Sequence, residues 1–310
     1  MPTIQEIIKD KLKENRPSLS DSSLKTYISI LKNLYKKVYG SDEFLLNNFK
    51  NQDKFIKYLD GVESSKRKSY LSALVVICND ECEKYSRLMM NDSQEHSQEQ
   101  KSQIKNEKQE TNWIEQDELH NIMNNLEIEA NKIFKSKNPN VDDLQKAQNF
   151  ILLCLVSGRY LNFVRRSLDW AEMKITEPIE DDNSNNYLKI NKRKPWEFIF
   201  RRYKTARFTG EEIIQVPNEL KKILTKWLKL LKQVCPNSEY LLIDKNCNKL
   251  SSVKITQRLN TIFGKKASIN ILRHSFITEK YKNMPSLEEL EENAKNNGHS
   301  LREELEYIRK

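Results

Sequence analysis

The chain is poor in long apolar runs. No stretch of its 310 residues approaches the ~18–20 consecutive apolar residues of a membrane-spanning helix, and MPTIQEIIKDKLKENR at the start lacks the apolar centre of a secretory signal. Cysteine is scarce and unpatterned. The five thiols, Cys78, Cys82, Cys154, Cys235 and Cys247, are odd in number, and no CxxC pair is matched by a second. This argues against a disulfide framework and a zinc module, and reads as reduced core or surface thiols in an intracellular protein. Cys78 and Cys82 stand one helical turn apart without further metal ligands, so they read as core. Acidic residues are in deficit: Asp plus Glu number 44 against 53 Lys plus Arg, giving a net charge of +9. An anionic partner is favoured, nucleic acid before an acidic membrane surface. No internal repeat is visible.

Hydrophobic residues make up only 37% of the chain, but they recur with helical spacing. At this length two domains are expected. Leu24, Tyr27, Ile28, Leu31, Leu34, Tyr35 and Val38 form one stripe that Gly40 ends. NQDKFIKYLDG predicts a short helix. SSKRKSYLSALVVICNDECEKYSRLMM predicts another, capped by Ser64 or Ser65, with Lys66, Arg67 and Lys68 in its first turn. Cations there oppose the helix dipole, so contact with phosphate and a solvated face are equally good readings. Residues 91–111 hold a single aliphatic side chain. The division is therefore a helical domain over 1–90, a linker or helix extension over 91–112, and a second domain over 113–310. In the second domain NWIEQDELHNIMNNL and DDLQKAQNFILLCLVSG read as helices. So do NELKKILTKWLKLLKQV, with Leu220, Ile223, Leu224, Trp227, Leu228 and Leu231 inward, and SSVKITQRLNTIF.

Between them YLKI, WEFIFRRY and EEIIQVP are short β-type runs, a small antiparallel sheet. From Lys189 to Arg207 eight Lys or Arg face one Glu. Strand alternation predicts Trp196, Phe198 and Phe200 beneath, with cations along a phosphate backbone above. Lys192, Arg193, Lys194, Arg201, Arg202 and Arg207 are the candidates for that contact, together with Lys66, Arg67 and Lys68.

Three clusters late in the chain carry possible chemistry: NFVRRSLDWAEMKI, then RRYKTARFTG, then NILRHSFITEKY followed by NGHS and EYIRK. Each alone is ordinary; their order is informative. The sequence resembles the tyrosine recombinases, the phage-integrase-type site-specific recombinases, and in wording the integrases of giant viruses and virophages. LRHSFIT and NGHS…Y carry the strongest match, YKTARFTGEEIIQVP is similar to the family's β-hairpin, and RRSLDWAEMKI to its first arginine box. The resemblance covers nearly the whole chain.

It implies a mostly α, two-domain fold: an N-terminal helical, SAM-like core-binding bundle before a mainly α catalytic domain with a small antiparallel sheet, the tyrosine recombinase/topoisomerase IB catalytic fold. It also implies cleavage and rejoining of double-stranded DNA without metal or other cofactor, by a homotetramer on synapsed sites, in the host cytoplasm or nucleus. Arg166 and Arg273 take the arginine positions, Lys204 the hairpin lysine, His299 the GHS histidine and Tyr307 the nucleophile. Arg165 competes with Arg166 for the first; Arg166 puts Asp169 at the acidic position and Met173 at the apolar one. Asn270 stands where the family has His or Lys. It donates a hydrogen bond to phosphate but shuttles a proton poorly. Rival readings are a type IB topoisomerase and a DNA-binding protein whose catalysis has decayed. Around the last two positions, Ser286 with Glu289 predicts a capping box, Gly298 a turn, and Ser300 with Glu303 a second box ahead of Tyr307.

Overall fold

The computed structural model describes residues 3–40, 44–79, 81–177, 182–296 and 301, with side chains from 293 to 296 excluded. Helices run in the order α1 (Ile4–Asn15), α2 (Asp21–Tyr39), a 3-10 turn (Leu46–Lys50), α3 (Gln52–Leu59), α4 (Ser64–Ile77), α5 (Glu83–Lys101), α6 (Glu107–Asn112), α7 (Gln116–Ile133), α8 (Val141–Val156) and α9 (Ser167–Trp170). Then follow β1 (Tyr187–Lys189), β2 (Glu197–Phe200), α10 (Ala206–Thr209), β3 (Glu212–Gln215), α11 (Asn218–Val234), α12 (Ser252–Phe263), α13 (Ile269–Lys280) and α14 (Leu287–Asn296). Among the described residues no helix is long and apolar enough to cross a membrane.

Contacts divide the chain into two units. The first holds the residues up to Ile104 and those from Pro285 on. Its centre is α4, where Leu71 and the run from Ala73 to Ile77 are all buried, so the C-terminal half of this helix is apolar nearly all round. It packs between α1, α2 and α5. Gly40 ends α2 at φ 71°, as the stripe predicts. The single helix expected over residues 64–90 is broken. Asn79 turns left-handed at φ 52° between α4 and α5, a conformation that asparagine tolerates better than most residues. Cys78 and Cys82 are buried free thiols at this break, and burial pushes the Cys78 thiol up. Residues 91–101 extend α5 rather than forming a linker. α14 has the predicted capping box: Glu289 N–H donates to Ser286 Oγ at 3.2 Å, and Ser286 N–H to Glu289 Oε2 at 2.7 Å. The sequence division put this segment in the second domain, whereas contacts group it with the first unit. Lys101 Nζ meets Glu291 at 3.1 Å, and Leu287 N–H donates to Gln103 Oε1 at 3.2 Å.

The second unit runs from Lys105 to Met284. α8 is its spine: Phe150 to Val156 are buried without a break, with α7 and α11 packed against it. The α11 stripe is as expected, with Ile223 and Leu228 only partly buried and Leu230 added to the buried set. The sheet is antiparallel in the order β1-β2-β3, pairing Tyr187 with Ile199 and Phe198 with Ile214. Trp170 meets Phe198 and Phe200 edge-on at 5.2 and 5.4 Å. Ile199, on the opposite face, is buried as well. β2 is the central strand, covered on both sides, and it carries no cation. Lys192, Arg193, Lys194, Arg201, Arg202 and Lys204 lie instead in the turns that flank it, with Lys189 in β1 and Arg207 in α10.

The expectation of five reduced thiols is corrected by a disulfide between Cys235, at the end of α11, and Cys247. Three buried cysteines remain free. Closing a loop of this size stabilises by about 3 kcal/mol, largely by restricting the unfolded chain. Cys235→Ser/Cys247→Ser is therefore expected to lower the unfolding free energy by that amount and the urea midpoint with it, and unchanged unfolding curves would show that the bond carries no stability.

Candidate functional site

Two adjacent arginines follow α8 and divide their tasks. Arg165 is committed to the fold. Its Nε donates to Asp169 Oδ2 at 2.8 Å, its Nη1 pairs with Glu212, and its guanidinium lies over the rings of Phe200 and Tyr203 at 4.0 and 4.9 Å. Asp169 is buried, and its Oδ1 has no partner among the described residues. Burial pushes that carboxyl up, and the Arg165 charge works against the shift. The bond to Arg165 holds Glu212 below the usual carboxylate range. Arg166, by contrast, is exposed, and its side chain makes no hydrogen bond or ion pair among the described residues.

Arg166 shares a cavity of about 420 Å³ with Ser167, Leu168, Ser252, Val253, Thr256, Ile269, Asn270 and Arg273. α13 supplies three of these, Ile269, Asn270 and Arg273. Ile269, Leu272 and Ser275 turn inward, which leaves Asn270 and Arg273, three apart, on a common face. Arg273 Nε donates to the Val164 carbonyl at 2.8 Å, and its two Nη groups make no hydrogen bond among the described residues. Burial, then the nearby Arg166 and Arg165 charges, pull this guanidinium below its ordinary value, and Asp169 pulls the other way. A guanidinium remains charged through such shifts. The cavity thus presents two cations and one amide to an anion, with no carboxylate among the described residues of its wall.

The helix bearing Arg273 is pinned from two sides. Ser275 Oγ donates to the Ile114 carbonyl at 2.5 Å and accepts from Gln116 Nε2 at 2.7 Å. The backbone of Gly158 approaches Phe276 so closely that an added Cβ would stand 2.4 Å from the ring, at φ +83°. Gly158→Ala is expected to cost about 2–4 kcal/mol, combining left-handed strain with overpacking. Adding Phe276→Ala should return only the steric share; a double-mutant cycle with no coupling would refute the contact.

The other predicted residues described in this unit do not line this cavity. Lys204 is exposed in the turn after β2, makes no hydrogen bond or ion pair among the described residues, and does not line the cavity. Arg201 is paired with Glu211, and Arg202 with Glu172 at 3.3 Å. Arg207 lies over the Phe208 ring at 4.5 Å. Lys192, Arg193 and Lys194 are exposed. In the first unit Arg67 is an internal tie, with Nε and Nη2 on the buried Asp92 at 3.0 and 2.6 Å, whereas Lys66 is exposed and Lys68 half-buried. His299 and Tyr307, with Gly298, Ser300 and Glu303, lie outside the described residues.

Sequence reasoning missed Ser252, Val253 and Thr256 on the cavity wall, and above all Asn186. This asparagine is buried. Its amide donates to the Asp169 and Arg202 carbonyls at 2.8 and 2.9 Å, and its oxygen accepts from the Arg201 and Arg202 N–H at 2.9 and 2.8 Å. It ties the arginine segment to the turn that bears Lys204. The only signal was an asparagine placed directly before a β-type run. Among the described residues no cluster could hold a metal ion.

No family profile and no curated protein matches the chain. Among solved structures it is similar to the XerA recombinase, at 14% identity and a TM-score of 0.35 over 91% of this chain and 86% of that one. It is also similar to the XerH site-specific recombinase bound to difH substrate in a pre-cleavage complex, at 16% identity and a TM-score of 0.45 over 97% of this chain and 80% of that one. The post-cleavage complex of XerH with palindromic difH substrate gives 14% identity and a TM-score of 0.47, over 97% and 90%.

Proposed function

We propose that the chain is a DNA strand transferase of the tyrosine recombinase type. It would cleave and rejoin duplex DNA through a 3′-phosphotyrosine, as a homotetramer on synapsed sites, in the integration of viral or mobile-element DNA. The observation that carries this reading is the pair Arg166 and Arg273 on one cavity wall, both with guanidinium N–H that make no bond among the described residues, while the neighbouring Arg165 is used up by the fold. Transesterification at a phosphodiester passes through a pentacoordinate phosphorane. Two guanidinium forks offset its charge without a metal.

In this scheme Tyr307 Oη attacks phosphorus and forms the P–O bond as the bond to the 5′ oxygen breaks. Lys204 gives that leaving oxygen its proton. His299 takes the proton of the attacking phenol or hydrogen-bonds a nonbridging oxygen, and Asn270 hydrogen-bonds a nonbridging oxygen from the arginine helix. Lys192, Arg193 and Lys194, with Lys66 and Lys68, meet the DNA backbone. The reading is tested with a nicked duplex on which cleavage cannot be reversed: wild type should accumulate a covalent protein–DNA adduct and should transfer strands between duplexes. Relaxation of supercoils without transfer would favour the topoisomerase reading. Asn270 in place of a proton-shuttling residue is what favours the decayed DNA-binding reading; steep salt-dependent binding with no adduct under any condition would establish it.

A further inference from the structure

A second cavity, of about 750 Å³, lies between α8 and α12 and shares no lining residue with the first. Lys254, Gln257, Arg258 and Thr261 line it from a different face of α12 than Ser252, Val253 and Thr256. At its wall Arg258 is desolvated, yet no charge answers it. Its Nη1 donates to the Gln145 carbonyl and to Asn149 Oδ1, both at 2.8 Å, and its Nη2 to Gln145 Oε1. All three acceptors are neutral. Burial alone pulls its proton affinity down, with no carboxylate opposing the shift. A guanidinium removed from water without a counter-charge is costly to the fold, and an anion brought into the cavity relieves that cost.

Lys146 and Lys245 stand on the same wall, exposed and without an ion pair or hydrogen bond among the described residues. Two carboxylates are also present. Asp244 is already committed, to Lys254 Nζ at 2.7 Å and to the N–H groups of Asn246 and Asn248 at 2.9 and 3.0 Å. That leaves Asp142 alone against Lys146, Lys245 and Arg258.

We propose that this cavity binds a phosphate-bearing anion of nucleotide size, with Arg258, Lys146 and Lys245 around the phosphate. Phosphate fits better than a single carboxylate because three cations outweigh one acid, and among the described residues Arg258 keeps its Nε–H and one Nη2 N–H for phosphate oxygens. The volume falls among those of small-molecule sites, and the amides of Asn149, Asn246 and Gln257 are placed to hydrogen-bond the rest of the ligand. The proposal is independent of the strand-transfer reading, since no residue of that chemistry lies here.

The test is calorimetric titration of the full chain, at low salt, with pyrophosphate, ADP and a short duplex. Pyrophosphate should bind one to one, and Lys146→Ala/Lys245→Ala should weaken it by about tenfold or more. Both residues are exposed and unpaired, so this variant should unfold at the wild-type temperature. The competing ligands separate the sources of phosphate. ADP binding above pyrophosphate, undisturbed by excess duplex, identifies a small phosphorylated molecule. Displacement of pyrophosphate by duplex identifies nucleic-acid phosphate. No heat with wild type, or equal affinity in the double variant, overturns the site.

Discussion

Tyr307→Phe is expected to yield no covalent protein–DNA adduct on a nicked duplex, under conditions in which wild type accumulates it. The substitution removes one oxygen and little else. A phenol near pKa 10 is a poor nucleophile until the charge it creates on the phosphate is offset, which is the work assigned to Arg166 and Arg273. Without the oxygen no other group can form the ester, so the loss should be complete rather than graded. Duplex affinity should survive, because the salt-dependent part of binding comes from cations elsewhere and follows the number of phosphates they neutralise. An adduct formed by Tyr307→Phe would show that another residue is the nucleophile. Loss of adduct and of DNA binding together would show a structural role for the ring.

Arg166→Ala and Arg165→Ala should fail in opposite ways, although the residues are neighbours. Arg166 makes no bond within the described protein, so its removal should leave the unfolding midpoint within about 0.5 kcal/mol of wild type. Cleavage should fall by roughly 10²–10³-fold, the scale seen when one preorganised transition-state donor is lost. Arg165→Ala leaves the buried Asp169 without its cation and strips a guanidinium from Phe200 and Tyr203. Breaking such a buried pair costs about 3–5 kcal/mol. Chemical denaturation alongside single-turnover cleavage separates the two outcomes. If Arg165→Ala stays stable and is catalytically dead, the assignment of the two arginines is reversed.

Much of the helical framework was legible because its signals are local. The α2 and α11 stripes repeat every three or four residues, Gly40 marks a stop, and Ser286 with Glu289 marks a start. The break at Asn79 was not legible: CNDEC holds neither glycine nor proline, and asparagine's tolerance of the left-handed region became visible only in the backbone. The Cys235–Cys247 bond depends on how the turn holding the Ile243–Lys249 bridge returns to the end of α11, a tertiary fact that no spacing reveals. The two arginines could not be told apart from order alone. What separates them is Glu212, 47 residues further on, and two rings from the same sheet region. Strand alternation misread β2 because a central strand is covered on both faces.

The resting place of Arg273 has a thermodynamic consequence. Its Nε lies on the carbonyl of Val164, and Arg166 leaves the same backbone two residues later. The separation of the two positive charges is thus set by one short stretch of chain and exists before any phosphate arrives. Their mutual repulsion, like the partial desolvation of Arg273, is carried by the empty protein. In linkage terms a bridging anion is a ligand of the folded state alone, and its contribution grows as RT ln(1 + [L]/Kd). In the proposed function, folding and phosphate capture draw on the same two charges, so a change that relaxes the loop between α8 and α9 should raise the stability of the free protein while weakening the proposed hold on phosphate.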